Sequence, residues 1–112
     1  MDSDCIFCRI IKGEAPADFV YKDEDLVVFR NIRPKAPVHV LIVPIEHIES
    51  INALEERHSM IISKMILKAK EIAGKLGIGE SGYRLVVNVE HGGGQEVFHL
   101  HIHLIGGWSG GA

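Results

Sequence analysis

The stretch FHLHIHLIGG, residues 98–107, places His99, His101 and His103 at every second position, with Leu100, Ile102 and Leu104 between them. Successive side chains of a β-strand point to opposite faces, and residues i and i+2 lie roughly 6.5–7 Å apart. A strand over 97–107 therefore carries one row of imidazoles and one aliphatic row. The aliphatic row needs a layer to pack against, while the histidine row faces a space kept for chemistry.

That layer is supplied by a helix. Leu54, Ile61, Ile62, Met65, Ile66, Ala69, Ile72, Ala73 and Leu76 recur at three- and four-residue steps, one apolar stripe of a helix. Asn52 and Glu55 read as its N-terminal cap pair, and Gly77 as its C-terminal stop. Met60 and Met65 read as packing residues. Before it come β-rich pieces at about 18–22 and 25–30, a proline-marked loop at 33–37 and a strand over 38–44. After it, 83–90 is a strand, HGGGQE at 91–96 a glycine loop, and 108–112 a loose tail. A short helix at CIFCRIIKGE closes at Gly13. These elements predict an α+β fold, a five-stranded antiparallel meander with one long helix and a short N-terminal helix, forming a single domain over residues 1–112.

Adjacent imidazoles resist being charged together, so some of the row stays neutral near pH 7. A neutral imidazole serves as nucleophile, proton carrier or metal ligand. Three ligands of one metal must converge to ~2.1 Å from it. The outer members of a straight row stand about 13 Å apart at the backbone, which is an awkward cage. The row therefore reads as a nucleophile with supporting partners. The amides of a glycine loop beside it suit an anionic oxygen such as phosphate.

Cys5 and Cys8 form a C-x-x-C with no strand before it, which favours metal over a thioredoxin-like redox pair. A structural zinc needs two further ligands. The residues alone leave His39, His47, His58, His91 and one member of the row as candidates, with His58 and His91 favoured as plain exposed positions. The 112 residues carry a net charge of −3 with no run of more than two basic residues, which argues against a nucleic-acid-binding face. No apolar stretch approaches the ~18 residues of a membrane span, and the acidic start is unlike a signal peptide. A cytoplasmic protein is expected.

HLHIHLI fits His-φ-His-φ-His-φ-φ, and the chain resembles the histidine-triad (HIT) superfamily, in particular its branch of purine nucleoside phosphoramidases. CIFCRIIKGEAPADFVYKDEDLVVFRNIRPKAPVHVLIVPIEHI and GYRLVVNVEHGGGQEVFHLHIHLIGG carry the resemblance across roughly residues 5–107. It implies a homodimer in which the sheet runs on into its mate's. It also implies attack by His101 on the α-phosphorus of a nucleoside 5′-phosphoramidate or acyl-nucleotide, through a nucleotidyl-histidine, releasing a nucleoside monophosphate. His39 would orient the nucleophile, His103 would contact phosphate and move protons, and His99 completes the catalytic row. Asn88, Gly94, Gln95 and Val97 would hold the phosphate side. Phe7, Ile10, Phe29 and Ile32 would wall a purine pocket, and Asn31 would meet the ribose. Cys5, Cys8, His47 and His99 would bind a structural zinc.

Two positions depart from better-known members, which have Asp in place of Asn31 and Ser or Thr in place of Glu96. A carboxylate at 96 is unfavourable beside a phosphate, so no phosphate-binding role is carried onto it. The alternatives within reach are a dinucleoside polyphosphate hydrolase, or a zinc-stabilised nucleotide- or partner-binding module with little turnover.

Overall fold

The computed structural model describes residues 4–108. Its elements are α1 (Ile6–Ile11), β1 (Phe19–Lys22), β2 (Leu26–Arg30), β3 (Val38–Pro44), α2 (Ser59–Lys75), β4 (Tyr83–Val86) and β5 (Ile102–Gly106). The five strands form one antiparallel sheet, as expected, but in the order β1-β2-β3-β5-β4. This differs from a simple meander, because the last strand inserts between β3 and β4. The insertion puts the histidine strand at the inner side of the sheet, next to the strand that carries His39.

The register explains how the two faces divide. Val40 is paired with Leu104 and Ile42 with Ile102, while Leu41 is paired with His103. Cross-strand partners share a face. Leu26, Val28, Val40, Ile42, Leu100, Ile102 and Leu104 thus turn together toward α2, where Met65, Ala69, Ile72 and Ala73 complete the main core. The opposite face presents Val27, Phe29, Leu41 and Val43, which pack with Phe7 and Ile10 of α1. α1 covers only part of that face, and the histidines occupy the part it leaves open.

The end of α2 is as the sequence predicts. Gly77 takes φ +80, its N–H donates to the Gly74 carbonyl, and the Ile78 N–H reaches back to the Ala73 carbonyl at 3.0 Å. This is the paired hydrogen-bond pattern that a left-handed glycine permits at a helix end.

The start of α2 differs. Ser50 and Glu55 cap two short 3₁₀ turns, Ile51–Ala53 and Glu56–His58, and the helix begins only at Ser59. Asn52 lies inside the first turn, its N–H donating to Ser50 Oγ at 3.1 Å. His58 is not exposed but 4% accessible. Its Nδ1 accepts the Glu55 N–H at 2.9 Å, and its Nε2 lies 3.3 Å from Glu46 Oε2. The ring closes the chain turn ahead of the helix, which is why it is buried.

Two strands are shorter than their sequence patterns. β4 ends at Val86 rather than near residue 90, and β5 begins at Ile102 rather than 97. The backbone ahead of β5 takes other partners: the Leu100 N–H donates to the Ile48 carbonyl at 2.6 Å. At the far end Gly107, φ +93, has Pro37 Cβ only 2.9 Å from where its own Cβ would stand. Trp108 lies under the Arg84 guanidinium, 4.7 Å from its ring centre; the rest of the expected tail, 109–112, is outside the described residues.

Candidate active site

The strict alternation survives the short strand, but the three histidines do not act as one row. A bend over residues 97–99 precedes β5 and turns the His99 ring away from the other two. His99 is fully buried, with Nε2 2.7 Å from the Pro44 carbonyl oxygen. A carbonyl accepts only, so Nε2 carries the proton and Nδ1 keeps its lone pair. That Nδ1 lies 3.3 Å from Cys5 Sγ and 3.5 Å from Cys8 Sγ. His47 Nδ1 lies 3.1 Å from Cys8 Sγ.

The ligand atoms of Cys5, Cys8, His47 and His99 all fall within 4.8 Å of one another. A tetrahedral zinc with Zn–S ≈ 2.3 Å and Zn–N ≈ 2.0 Å has S···N edges of about 3.5 Å. The observed spacings fit such an ion, and His99 already has the carbonyl partner that fixes a ligating tautomer. Cys5 caps the start of α1 and Cys8 lies in its first turn, and Cys5 Sγ also accepts the Cys8 N–H at 3.2 Å. Of the candidates left open by the residues alone, His39, His58 and His91 lie outside this cluster.

His101 and His103 face the open side of the sheet, their ring centres 5.0 Å apart. His101 is 8% accessible, and its Nδ1 is 2.7 Å from the His99 carbonyl oxygen. By the same reasoning Nδ1 holds the proton and Nε2 is a free lone pair. Phe7 meets this ring edge-on at 5.0 Å. Burial depresses the His101 pKa, against the opposing effect of its bond to the His99 carbonyl.

His39 pairs with His103, not with His101. Its Nδ1 accepts the Lys35 N–H at 3.1 Å, so its Nε2 is protonated and donates to His103 Nδ1 at 2.9 Å. That leaves the His103 proton on Nε2. Burial, then the neighbouring His101, His39 and Lys35, push the His103 pKa down to about 4. Burial and Lys35 lower that of His39 as well. The result is a fixed set of neutral imidazoles: a lone pair on His101 beside an N–H donor on His103.

Asn31 Oδ1 accepts the Arg33 N–H at 2.8 Å, which fixes the side-chain amide. Its Nδ2 is 3.3 Å from His39 Nε2, but both nitrogens carry hydrogen there, so this is contact and not a bond. The amino group is left as a donor toward the cavity.

The cavity in front of these groups measures about 720 Å³. Phe7, Ile10, Phe29, Ile32 and Val97 give it an apolar lining, and Asn31, Asn88, Gly94, His101 and His103 a polar one. Of the sequence-derived candidates, Gln95 and His99 are outside this lining. Gln95 is buried and its amide is committed: Oε1 accepts the Glu90 N–H at 2.8 Å, and Nε2 donates to the carbonyls of Glu49 at 2.8 Å and Val97 at 3.0 Å. It fastens the base of the glycine loop to residues 49–50. Glu90, at φ +62, is held in that strained conformation by this bond and by Ser50 Oγ–H donating to Glu90 Oε2 at 2.5 Å. Sequence reasoning missed Glu90, Ser50 and the cavity-lining cations Arg33 and Lys35. The latter pair had a signal, two charges flanking the proline of RPK.

Comparison with known proteins agrees with this geometry. The family model described as "Scavenger mRNA decapping enzyme C-term binding" matches residues 4–110. The chain is 45% identical over 107 residues to the purine nucleoside phosphoramidase of Escherichia coli K12, covering 96% of this chain and 90% of that protein. It superposes on a HIT family hydrolase from Legionella pneumophila with a TM-score of 0.93, at 47% identity and 95% coverage of both chains. A Zn-bound histidine triad family protein from Mycobacterium smegmatis matches with a TM-score of 0.83 at 26% identity, covering 98% of this chain and 79% of that one. The histidine-bearing strand, the imidazole pair and the near-complete match to these relatives show that the chain belongs to the histidine triad family.

Proposed function

We propose that this HIT-type enzyme hydrolyses nucleoside 5′-phosphoramidates or acyl-nucleotides at the α-phosphorus through a nucleotidyl-His101 intermediate. The observation that carries this reading is the 2.7 Å bond from His101 Nδ1–H to the His99 carbonyl, which leaves Nε2 as a lone pair facing the cavity. A neutral, oriented imidazole is a competent nucleophile toward phosphorus. The close relative named for purine nucleoside phosphoramidase activity supports the substrate class.

Nε2 forms the bond to phosphorus, and the P–N or P–O bond to the leaving group breaks with its electron pair going to the departing atom. His103 Nε2–H donates to a phosphoryl oxygen as charge builds on it, while the N–H groups of Gly93, Gly94 and Gln95 are committed to the carbonyls of Glu90 and His91 within the loop. Water then attacks phosphorus and displaces His101. The proton an amine takes on leaving and the proton water sheds on arriving cancel over the cycle. Asn88 stands on the phosphate side, with its Nδ2 spent on the Gly93 carbonyl at 2.8 Å, so its role there is to hold the loop. Asn31 meets the ribose, and Phe7, Ile10, Phe29 and Ile32 receive a purine.

The Cys5–Cys8–His47–His99 cluster holds a structural zinc, which supplies cross-linking of α1 to the lead-in of β5. The protein works as a homodimer in the cytoplasm; β4 is an edge strand with Leu85 38% exposed, a surface suited to pairing with a second sheet. No helix among the described residues is long and apolar enough to cross a membrane. The test is incubation with adenosine 5′-phosphoramidate: wild type releases AMP, and His101→Ala does not. Equal, slow release by both would leave a binding module instead.

A further inference from the structure

The charges around the cavity exceed what a single α-phosphate requires. Arg30, Arg33 and Lys35 line it on the side of the loop between β2 and β3, against Glu96 on the other. Arg30 is engaged by Asp18 at 3.4 Å. Among the described residues, the ion pairs include none to Arg33 or Lys35. In the reading above, the α-phosphate meets the His103 Nε2–H rather than either of these cations.

The loop that carries these two cations is not a slack surface segment. The Arg33 N–H is tied to Asn31 Oδ1 and the Lys35 N–H to His39 Nδ1, with Pro34 fixing φ between them. Both side chains therefore spring from anchored points beside Asn31 and His39, which line the same cavity. The Lys35 charge reaches the imidazoles, since it depresses both His39 and His103. With the ribose at Asn31, as in the reading above, the two cations rise beside the sugar, since the Arg33 N–H is bonded to Asn31 itself.

Resting on the nucleotide reading above, we infer that Arg33 and Lys35 form a second anion subsite beside the ribose. The ligand class it takes is a nucleotide with a phosphate on its 2′- or 3′-hydroxyl. A guanidinium fork and an ammonium a short loop apart suit a phosphate dianion, the first by paired hydrogen bonds and the second as a point charge. Both cations are exposed, so the gain is modest and salt-sensitive: about tenfold in affinity at low ionic strength.

Calorimetric titration of the full chain with AMP, adenosine 2′,5′-bisphosphate, adenosine 3′,5′-bisphosphate and ADP tests this. One bisphosphate binds about tenfold more tightly than AMP at low salt, and which one identifies the hydroxyl. The ratio falls toward one in the double variant Arg33→Gln/Lys35→Gln and at high salt. Bisphosphates no tighter than AMP, or an advantage that persists in the double variant, overturn the inference. So does an equal gain for ADP, which places the cations on the leaving-group side. Absence of AMP binding defeats the nucleotide reading and this inference with it; AMP binding without a bisphosphate advantage defeats this inference alone.

Discussion

The Nδ1 of His101 donates to the main-chain carbonyl of His99, and the side chain of His99 belongs to the cysteine–histidine cluster. One residue thus links the candidate metal-binding group to the proposed nucleophile: its ring lies among the four potential ligands and its backbone fixes the tautomer two residues on.

On the proposed reading, this linkage would make a metal held there a stabilising element with an indirect effect on rate. Protein purified under reducing conditions contains one zinc per chain, measured by elemental analysis. Chelation or Cys8→Ser lowers the melting temperature by about 10 °C, equivalent to roughly 2 kcal/mol for a domain of this size. Hydrolysis persists in the metal-free protein at temperatures where it stays folded. Complete loss of turnover from a folded, metal-free protein contradicts a structural role.

The bond from His39 Nε2–H to His103 Nδ1 predicts that His39 acts on turnover through His103. His39→Ala removes both the acceptor for the Lys35 N–H and the donor to His103 Nδ1, and lowers kcat about 10- to 100-fold with little change in KM. His39→Gln, which can restore one of the two bonds, recovers part of the loss. Equal effects of the two substitutions, on KM rather than kcat, indicate a packing role only.

The pH dependence has a definite sign. His103 titrates at about 4 in the folded protein and near 6.5 when unfolded. As pH falls from 6.5 toward 4 the unfolded chain takes up this proton first, so His103 withdraws stability across that window and contributes no further slope below it. Urea unfolding of wild type and His103→Asn at neutral and acid pH isolates the term: the wild type loses more stability on acidification. An identical or smaller loss in the wild type shows that the imidazole is not held neutral. Where the protein remains folded, turnover is not limited by His103 protonation until pH approaches 5.

Gln95 is a test of the loop clamp. Gln95→Ala strands the Glu90 N–H and the carbonyls of Glu49 and Val97 in a buried place, and costs about 2–4 kcal/mol by denaturant unfolding. Were Gln95 an exposed phosphate ligand, affinity would fall while stability stayed within about 0.5 kcal/mol.

These same residues show what the sequence could carry. The period-two pattern of 99–104 is local, so it announced two faces, and the register confirms the aliphatic one. The helix stripe and its stop at Gly77 were legible for the same reason. Strand order was not, because the pairing of β5 with both β3 and β4 depends on contacts between residues far apart in the chain. The start of α2 misled because Ser50, Asn52 and Glu55 all carry cap-forming side chains within six residues, and short 3₁₀ turns use two of them. His58 read as exposed because Glu46, its partner, lies on a loop the helical pattern does not include. Gln95 read as a ligand because an amide beside a glycine loop looks alike whether it faces phosphate or the backbone. Cys5 and Cys8 were legible from their C-x-x-C spacing, but the role of His39 and the choice of His47 and His99 as the other two ligands came only through the family pattern, since spacing left the histidine choices open.

The central claim is that His101 Nε2 bonds covalently to phosphorus. Rapid acid-free quenching during turnover of adenosine 5′-phosphoramidate or an acyl-adenylate, followed by intact-mass and peptide mass spectrometry, tests it most directly. The account predicts one adenylyl group per chain, transiently present, located on His101 and absent from His101→Ala. An adenylyl group on another side chain, or full turnover by His101→Ala, contradicts it.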